Sequence, residues 1–258
     1  MSRARILTVV EPRHLGPHRL LFVRALEQVY AERLGQEVTV VDLDPAAAWT
    51  VDDLSPLAAD VVEGVGGTVA EWLQTWVEGE DPANLMRFAC FDGTGRRSTV
   101  PGSLHTEDLG ARLAEGAARR GFMMSPAAHL LGALAQARAE VDVIVLVCGA
   151  GLHPVARVAL AVADATLVLV NADPFVKTDM QRVEAADLVA AAHGDGLFGH
   201  ASVAGVWFEQ AGQGALTIRR SAWAQRAKVA HRVRLRDWSA GPPSAEILDQ
   251  VQALNPLR

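Results

Sequence analysis

The 258-residue chain carries 24 Lys and Arg against 30 Asp and Glu, which gives a net charge of −6, and half of its residues are hydrophobic. A chain of this length can bury about three-quarters of its unfolded surface without a disulfide or a structural metal. It has no apolar run long enough to cross a membrane, and the run near Met1 is too short for a secretory signal. We therefore expect a cytoplasmic protein without a membrane partner.

Short segments rich in Val, Ile and Leu alternate along the chain with longer segments of helical periodicity. The predicted strands are Ile6–Val10, Val38–Leu43, Met86–Phe91, Val141–Val147, Thr166–Asn171 and Val203–Phe208. The predicted helices are Arg19–Leu34, Val69–Trp76, Pro126–Arg138, Pro154–Val162 and Asp179–Ala192. Strands that are apolar along their whole length are typical of parallel sheets. The pattern predicts an α/β fold, with a mostly parallel twisted sheet and helices on both faces.

No linker or internal repeat divides the sequence, so residues 1–258 are predicted to form a single domain. Residues 92–110 are polar and contain Gly and Pro, which predicts a surface insertion with little structure of its own. Residues 219–236 form a basic segment that contains seven Arg or Lys and no acidic residue.

A C-terminal helix is predicted over residues 244–254, with four aliphatic side chains on one face. Its polar side carries Glu246 and Asp249, which an anionic lipid surface would repel. We therefore expect this helix to dock against the body of the protein or against a partner.

The cysteine and histidine residues do not form a metal-binding pattern. Cys90 and Cys148 lie in apolar segments and are expected to be buried hydrophobic residues rather than metal ligands or a disulfide. His14 and His18 are four residues apart, but Pro17 between them makes a shared helical face unfavourable. No metal site is predicted.

Three segments resemble, in order, parts of the ParA/MinD family of deviant Walker A, SIMIBI-class ATPases. RILTVVEPRHLGPHRLLFVRALEQVYAERLGQEVTVVDLDP resembles the opening strand, loop, helix and strand, including the final D-L-D-P at Asp42–Pro45. VDVIVLVCGAGLHPVARVALAVADATLVLVNADPF resembles the Walker B strand with the following helix and strand. TIRRSAWAQRAKV from Thr217 is similar to the T-I-x-R-[NS] stretch after the last core strand. The resemblance implies a P-loop NTPase-like fold.

The family's phosphate-binding loop, K-G-G-x-G-K-[ST], is altered at its functional positions. Alignment on the remaining glycine, Gly16, places Pro17 where the family has Lys and His18 where it has Ser or Thr. Pro12 occupies the position of the family's other conserved lysine, the signature Lys at the start of the motif. In the family this loop binds phosphate through backbone N–H groups and the Lys, and Mg²⁺ through the hydroxyl. No lysine precedes Lys177 to repair the motif.

The Walker B carboxylate is also missing. The family strand ends in D-[TS]-[PA], whereas this chain has Val147, Cys148 and Gly149. The remaining carboxylates of the resembled site are Asp42 and Asp44. The resemblance therefore implies a pseudo-ATPase with no required cofactor, although weak binding of ATP or ADP without Mg²⁺ stays open.

The remnants of the site each have two interpretations. Asp42 and Asp44 either form a structural turn at a strand end, or Asp44 binds a cation or a partner's arginine. A helix N-terminus favours negative charge, so nearby basic residues could form an anion site or could be solvated loop residues. These residues are Arg13, His14, His18 and Arg19.

The basic segment 219–236 suggests a contact with nucleic acid, because ParA relatives bind DNA nonspecifically through C-terminal basic residues. Residues 232–238 alternate like an edge strand. The alternative is a solvated arginine face. The candidate DNA-binding residues are Arg219, Arg220, Arg226, Lys228, Arg232, Arg234 and Arg236.

The resemblance implies a non-hydrolysing adaptor or scaffold in the partitioning or positioning of a bacterial cargo. It would have a protein partner, and any homodimer would form independently of nucleotide. One alternative is a catalytically silent partner in an exopolysaccharide system, because residues 113–147 loosely resemble tyrosine autokinases. Tyr30 is the single tyrosine, which argues against autokinase activity. The other alternative is a nonspecific DNA-binding module.

Overall fold

The computed structural model describes residues 4–11, 17–53, 67–78, 84–106, 130, 134–171, 202–209, 229–234, 242–254 and 257. Within these ranges, eight strands form one sheet. They are β1 (Arg5–Glu11), β2 (Val38–Leu43), β3 (Cys90–Phe91), β4 (Arg97–Val100), β5 (Val143–Ala150), β6 (Ala165–Asn171), β7 (Ser202–Glu209) and β8 (Val229–Arg234). Their order is β3-β4-β2-β5-β1-β6-β7-β8, and every neighbouring pair is parallel except β3 with β4.

The helices in the described ranges cover both faces of this sheet. They are α1 (Pro17–Gln28), α2 (Ala48–Asp53), α3 (Val69–Glu78), α4 (Pro154–Val162) and α5 (Ala245–Leu254). A π-helical turn, Val29–Arg33, extends α1, and a 3₁₀ turn spans Leu85–Phe88. None of the described helices is both long and apolar enough to cross a bilayer.

Alternate side chains of the central strands enter two separate apolar cores. Ile6 and Val10 of β1 pack in the core that contains α3 and α4. Leu7 and Val9 of the same strand pack in the core that contains α1, Trp49 of α2, and α5. Burial of the strands on both faces explains why they appear in the sequence as continuous apolar runs. The predicted α/β class, with a mostly parallel sheet and helices on both faces, is confirmed.

The C-terminal helix docks against the body of the protein, as expected from its acidic polar side. Ile247, Val251 and Leu254 are buried in the core beside α1. Arg33 in the π-helical turn pairs with Asp249 of α5.

The prediction of a surface insertion with little structure over residues 92–110 was wrong where the chain forms a strand, and residues 107–110 lie outside the described residues. Arg97–Val100 form β4, which pairs in parallel with β2, and Ser98, Thr99 and Val100 are buried. Asp92 stabilises the turn that leads into β4. Its carboxylate accepts hydrogen bonds from the backbone and hydroxyl of Thr94 and from Arg97 Nε at 2.8 Å. The insertion therefore supplies an internal strand of the sheet.

The predicted strand Met86–Phe91 was wrong over most of its length. Asn84 accepts a hydrogen bond from the backbone N–H of Met86 at 3.0 Å, which starts a 3₁₀ turn instead. Only Cys90 and Phe91 are extended. Cys90 is exposed, contrary to expectation, whereas Cys148 is buried as predicted.

The predicted helix Asp179–Ala192 lies outside the described residues, as does most of Pro126–Arg138. The part of the latter that the structure describes includes a helical turn at 134–137. Organisation of the whole chain as one domain stays a prediction.

Candidate functional site

The carboxyl ends of β1, β2 and β5 meet at one edge of the sheet, because these strands are adjacent and parallel. Glu11 at the end of β1 lies in register with Ala150, and Leu43 of β2 lies in register with Cys148 of β5. Asp44 follows β2 directly. In open α/β sheets, ligands commonly bind outside this edge. It is also where the sequence placed the remnants of a nucleotide site.

Arg19 in the first turn of α1 extends into this edge and connects all three strand ends. Its Nη1 lies 3.1 Å from Glu11 Oε1 and donates a hydrogen bond to the carbonyl oxygen of Cys148 at 2.6 Å. Its Nη2 donates to the carboxylate of Asp44. Arg19 and Glu11 are both 0% exposed, so this ion cluster lies inside the protein.

The charge of Arg19 is maintained by its two acidic partners. Burial alone lowers the pKa of this guanidinium. The carboxylates of Glu11 and Asp44 together raise it by more than burial lowers it, so the net pKa is raised. The alternatives of a solvated loop residue or an anion-binding residue were both wrong for Arg19. The position of Arg19 at a helix N-terminus suggested that it binds an anion from outside the protein. The anions that it pairs with are the carboxylates of Glu11 and Asp44 in the same chain.

Asp42 has a structural role at the end of β2. Its carboxylate accepts hydrogen bonds from the backbone N–H of Thr50 at 2.9 Å, from Thr50 Oγ1 at 2.7 Å and from the backbone N–H of Asp44 at 3.1 Å. Complete burial raises the pKa of Asp42 to about 6, although the bonds from Thr50 act in the opposite direction. Asp42 therefore fixes the start of α2 to the end of β2.

Asp44 both forms a turn at a strand end and pairs with an arginine, so each of its two sequence-based interpretations is correct in part. Its Oδ1 accepts a hydrogen bond from the backbone N–H of Ala46 at 3.0 Å, which is a strand-end turn. Its other oxygen pairs with an arginine, but that arginine is Arg19 of the same chain rather than a partner's.

Gly149 leaves the space that the carboxylate of Asp44 occupies. A Cβ atom at this position would lie 2.7 Å from Asp44 Oδ1 and 2.9 Å from Pro45 Cδ. Sequence comparison with the Walker B motif treated this position only as a missing residue. The structure gives it a packing role beside the ion cluster.

Replacement of Gly149 with alanine is expected to lower the free energy of unfolding by about 1 to 2 kcal/mol, because the methyl group must displace a buried side chain. The urea midpoint followed by circular dichroism measures this loss. Gly93→Ala is the matched control, because a Cβ atom there meets nothing within 4 Å. Equal midpoints for the two variants would contradict the close approach to Asp44.

The remaining candidate residues are described only in part. Arg13, His14 and Gly16 lie outside the described residues, and Pro17 and His18 are placed in α1 by their backbone alone. An anion site formed by Arg13, His14 and His18, without Arg19, therefore stays a prediction.

The basic segment ends in the edge strand β8, which confirms the predicted edge strand over part of its length. Arg232 and Arg234 lie on this strand, and their side chains are not described. The other candidate DNA-binding residues, Arg219, Arg220, Arg226, Lys228 and Arg236, lie outside the described residues. DNA binding stays a prediction.

The ion cluster does not fit a bound Mg²⁺ ion. Among the described residues, no three His, Cys, Asp or Glu side chains are grouped as a metal site. Both Glu11 and Asp44 pair with the Arg19 guanidinium, which is a cation and cannot coordinate a metal. A divalent ion at the strand ends would have to displace this guanidinium.

No family model matches the chain, and no curated protein matches its sequence. Solved structures match over almost the whole chain. A McdA–ATP complex from Cyanothece is 13% identical with a TM-score of 0.71, and the match covers 98% of this chain and 96% of that one. Cobyrinic acid a,c-diamide synthase from Mycobacterium smegmatis is 13% identical with a TM-score of 0.72, and the match covers 97% of this chain and 91% of that one. A plasmid partition protein from Borrelia burgdorferi is 12% identical with a TM-score of 0.70, and the match covers 98% of each chain. These similarities confirm the P-loop NTPase-like α/β fold.

Proposed function

We propose that this chain is a ParA/MinD-like pseudo-ATPase that acts as an adaptor or scaffold in the partitioning or positioning of a cellular cargo. The fold that it shares with McdA and with a plasmid partition protein supports the partitioning role. The altered Walker A and Walker B positions support the loss of hydrolysis. The function then depends on contacts with a protein partner and on a homodimer that forms without nucleotide.

The ion pairs of Arg19 are the observation that carries this proposal. In the family that the sequence resembles, the end of the Walker B strand supplies the carboxylate that organises Mg²⁺. Here the corresponding region supplies the Cys148 carbonyl, which accepts a hydrogen bond from Arg19. Asp44, a remaining carboxylate, pairs with the same guanidinium. The chain thus has its own cation among the strand ends, which opposes binding of a metal ion there.

The proposal predicts that the purified full chain has no Mg²⁺-dependent ATP turnover. Phosphate release would be measured with and without excess EDTA, with a hydrolysing ParA protein as the positive control. Calorimetric titration with ATP and ADP should give no tighter binding with Mg²⁺ than without it, because Glu11 and Asp44 already pair with Arg19. Turnover that co-elutes with the protein and disappears in EDTA would refute the pseudo-ATPase assignment.

The state of assembly gives a second readout of the same proposal. Sedimentation analysis should give one mass distribution whether ATP is present or not. A dimer that appears only with ATP would contradict a nucleotide-independent scaffold. This measurement separates loss of hydrolysis alone from loss of all nucleotide control.

A further inference from the structure

A cavity of about 300 Å³ lies at the β3 and β4 edge of the sheet, apart from the ion cluster of Arg19. Its lining includes Glu27 of α1, Asp53 of α2, Phe91 of β3 and Arg97 of β4. This volume is at the lower end of the range for pockets that bind small molecules. The cavity brings together side chains from four elements.

Glu27 is the most unusual residue of this cavity. It is only 4% exposed, and its one ion pair in the described structure is with Arg97 Nη1 at 3.9 Å. That separation is too long for a hydrogen bond. No described residue donates a hydrogen bond to the Glu27 carboxyl group. A buried carboxylate in this state is unfavourable unless a donor or a cation reaches it.

The groups that face Glu27 do not neutralise it. Asp53 and Asp92 add negative charge, and Arg97 and Arg24 oppose it. Both arginines have other acidic partners, however: Arg97 Nε lies 2.8 Å from Asp92, and Arg24 Nη2 lies 2.9 Å from Asp52. Burial first, and Asp53 second, raise the pKa of Glu27 to about 7.

Asp53 is held in position beside Glu27 by a chain of hydrogen bonds. Its Oδ2 accepts a bond from Thr99 Oγ1 at 2.7 Å, and Thr99 Oγ1 accepts one from Trp49 Nε1 at 3.3 Å. Thr99 and Trp49 are both buried. The second carboxylate of the cavity is therefore fixed by the core rather than by flexible surface residues.

Phe91 adds an apolar surface to the cavity, although 62% of this residue is exposed. An exposed aromatic ring next to carboxylates favours a ligand that has an aliphatic stem as well as a positive head, because the stem can cover the ring while the head reaches the carboxylates. Covering this exposed ring with an apolar part of a ligand removes apolar surface from water, which is favourable.

We infer that this cavity binds a small organic cation, namely an alkylammonium or guanidinium group on a short aliphatic chain. The positive head pairs with Glu27 and Asp53, and the stem packs against Phe91. Such a head supplies hydrogen-bond donors, which no described residue gives to Glu27, and charge-assisted bonds of this kind are among the stronger ones in proteins. This site is independent of the proposed pseudo-ATPase function.

The pH dependence of binding follows from Glu27. Alkylammonium and guanidinium groups stay protonated near neutral pH, whereas the Glu27 carboxyl loses its proton as the pH rises through about 7. Affinity should therefore increase between pH 6 and pH 8. The other charged groups that face Glu27 are Asp53, Asp92, Arg24 and Arg97.

Isothermal titration of the full chain with n-butylamine, putrescine and agmatine tests this inference. At least one of these amines should bind with one-to-one stoichiometry, and n-butanol and butyrate should not. Glu27→Gln should weaken the binding about tenfold or more, since it removes a charge-assisted bond. Glu78→Gln, which removes an exposed acid on α3, should leave it unchanged.

Four results would overturn the inference. These are no detectable heat with any of the three amines, equal binding of n-butanol, equal affinity in Glu27→Gln, or affinity that does not change from pH 6 to pH 8. The comparison of amine with alcohol uses the unmodified chain, so it stays decisive even if a variant fails to fold.

Discussion

Replacement of Arg19 with methionine is expected to lower the free energy of unfolding by about 3 to 5 kcal/mol, the typical cost of removing one partner from a buried ion pair. The variant keeps an apolar stem of similar length but leaves the carboxylates of Glu11 and Asp44 in the interior without their cation. It also removes the hydrogen bond that Arg19 donates to the Cys148 carbonyl. Urea denaturation followed by circular dichroism measures the loss.

Two further variants identify the cause of this loss. Arg87→Met removes an exposed arginine and should change the stability by less than about 0.5 kcal/mol. The triple variant Arg19→Met, Glu11→Gln, Asp44→Asn removes the buried charges together and should recover part of the loss, because neutral replacement of a whole buried ion cluster is often tolerated. If Arg19→Met unfolds at the same urea concentration as the unmodified chain, the ion cluster does not stabilise the fold.

The strands that the sequence predicted well are those buried on both faces. β1, β2 and β5 are mostly apolar, so local hydrophobicity was sufficient to locate them. β4 was missed because it is short and polar. Its Ser98 and Thr99 are buried through hydrogen bonds to partners far along the chain: Ser98 bonds Thr39 Oγ1 at 2.8 Å. A local pattern contains no information about such distant partners.

The ion cluster could be predicted only in part. The D-L-D-P motif located Asp42 and Asp44, but the pairing of Arg19 depends on three strand ends that the parallel sheet brings together. Asp44 is 25 positions from Arg19 in the chain. An acidic residue at the end of an apolar strand, Glu11, was the one local signal that a buried cation would be required.

The burial of Glu27 had a clearer signal in the sequence. Val23 and Leu26 of α1 and Tyr30 of the π-helical turn are buried, and Glu27 lies four positions after Val23 and three before Tyr30. Helical spacing therefore placed a carboxyl group on the apolar face. A charged residue at such a position indicates either a misassigned face or a cavity beside the helix, and the structure shows a cavity that Glu27 lines.

The two sites are connected through α2. Asp42 fixes Thr50 near the start of this helix, and Asp53 at its end lines the cavity. Trp49 of the same helix donates to Thr99, which in turn holds Asp53.

Replacement of Glu27 with glutamine is expected to stabilise the protein at pH 8 by up to about 3.5 kcal/mol, since its pKa is raised by about 2.5 units and one unit corresponds to about 1.4 kcal/mol. The ordinary pKa of this carboxyl group is 4.5, and folding raises it to about 7. Below pH 4.5 the group is protonated in both states, so its charge has no effect. Between 4.5 and 7 the unfolded chain loses the proton first, so stability falls as the pH rises, and above 7 the full penalty is present.

Glutamine has a similar shape and no ionisation, so the variant should escape this penalty. The gain in the free energy of unfolding should therefore be large at pH 8 and nearly absent at pH 4, when both are measured by urea denaturation. Glu78→Gln, which changes an exposed acid, should show no such difference between the two pH values. A gain of equal size at pH 4 and pH 8 would mean that packing, rather than the buried charge, causes it. A saturating amine should also reduce the gain, because the ligand would stabilise the folded state of the unmodified chain more than that of the variant.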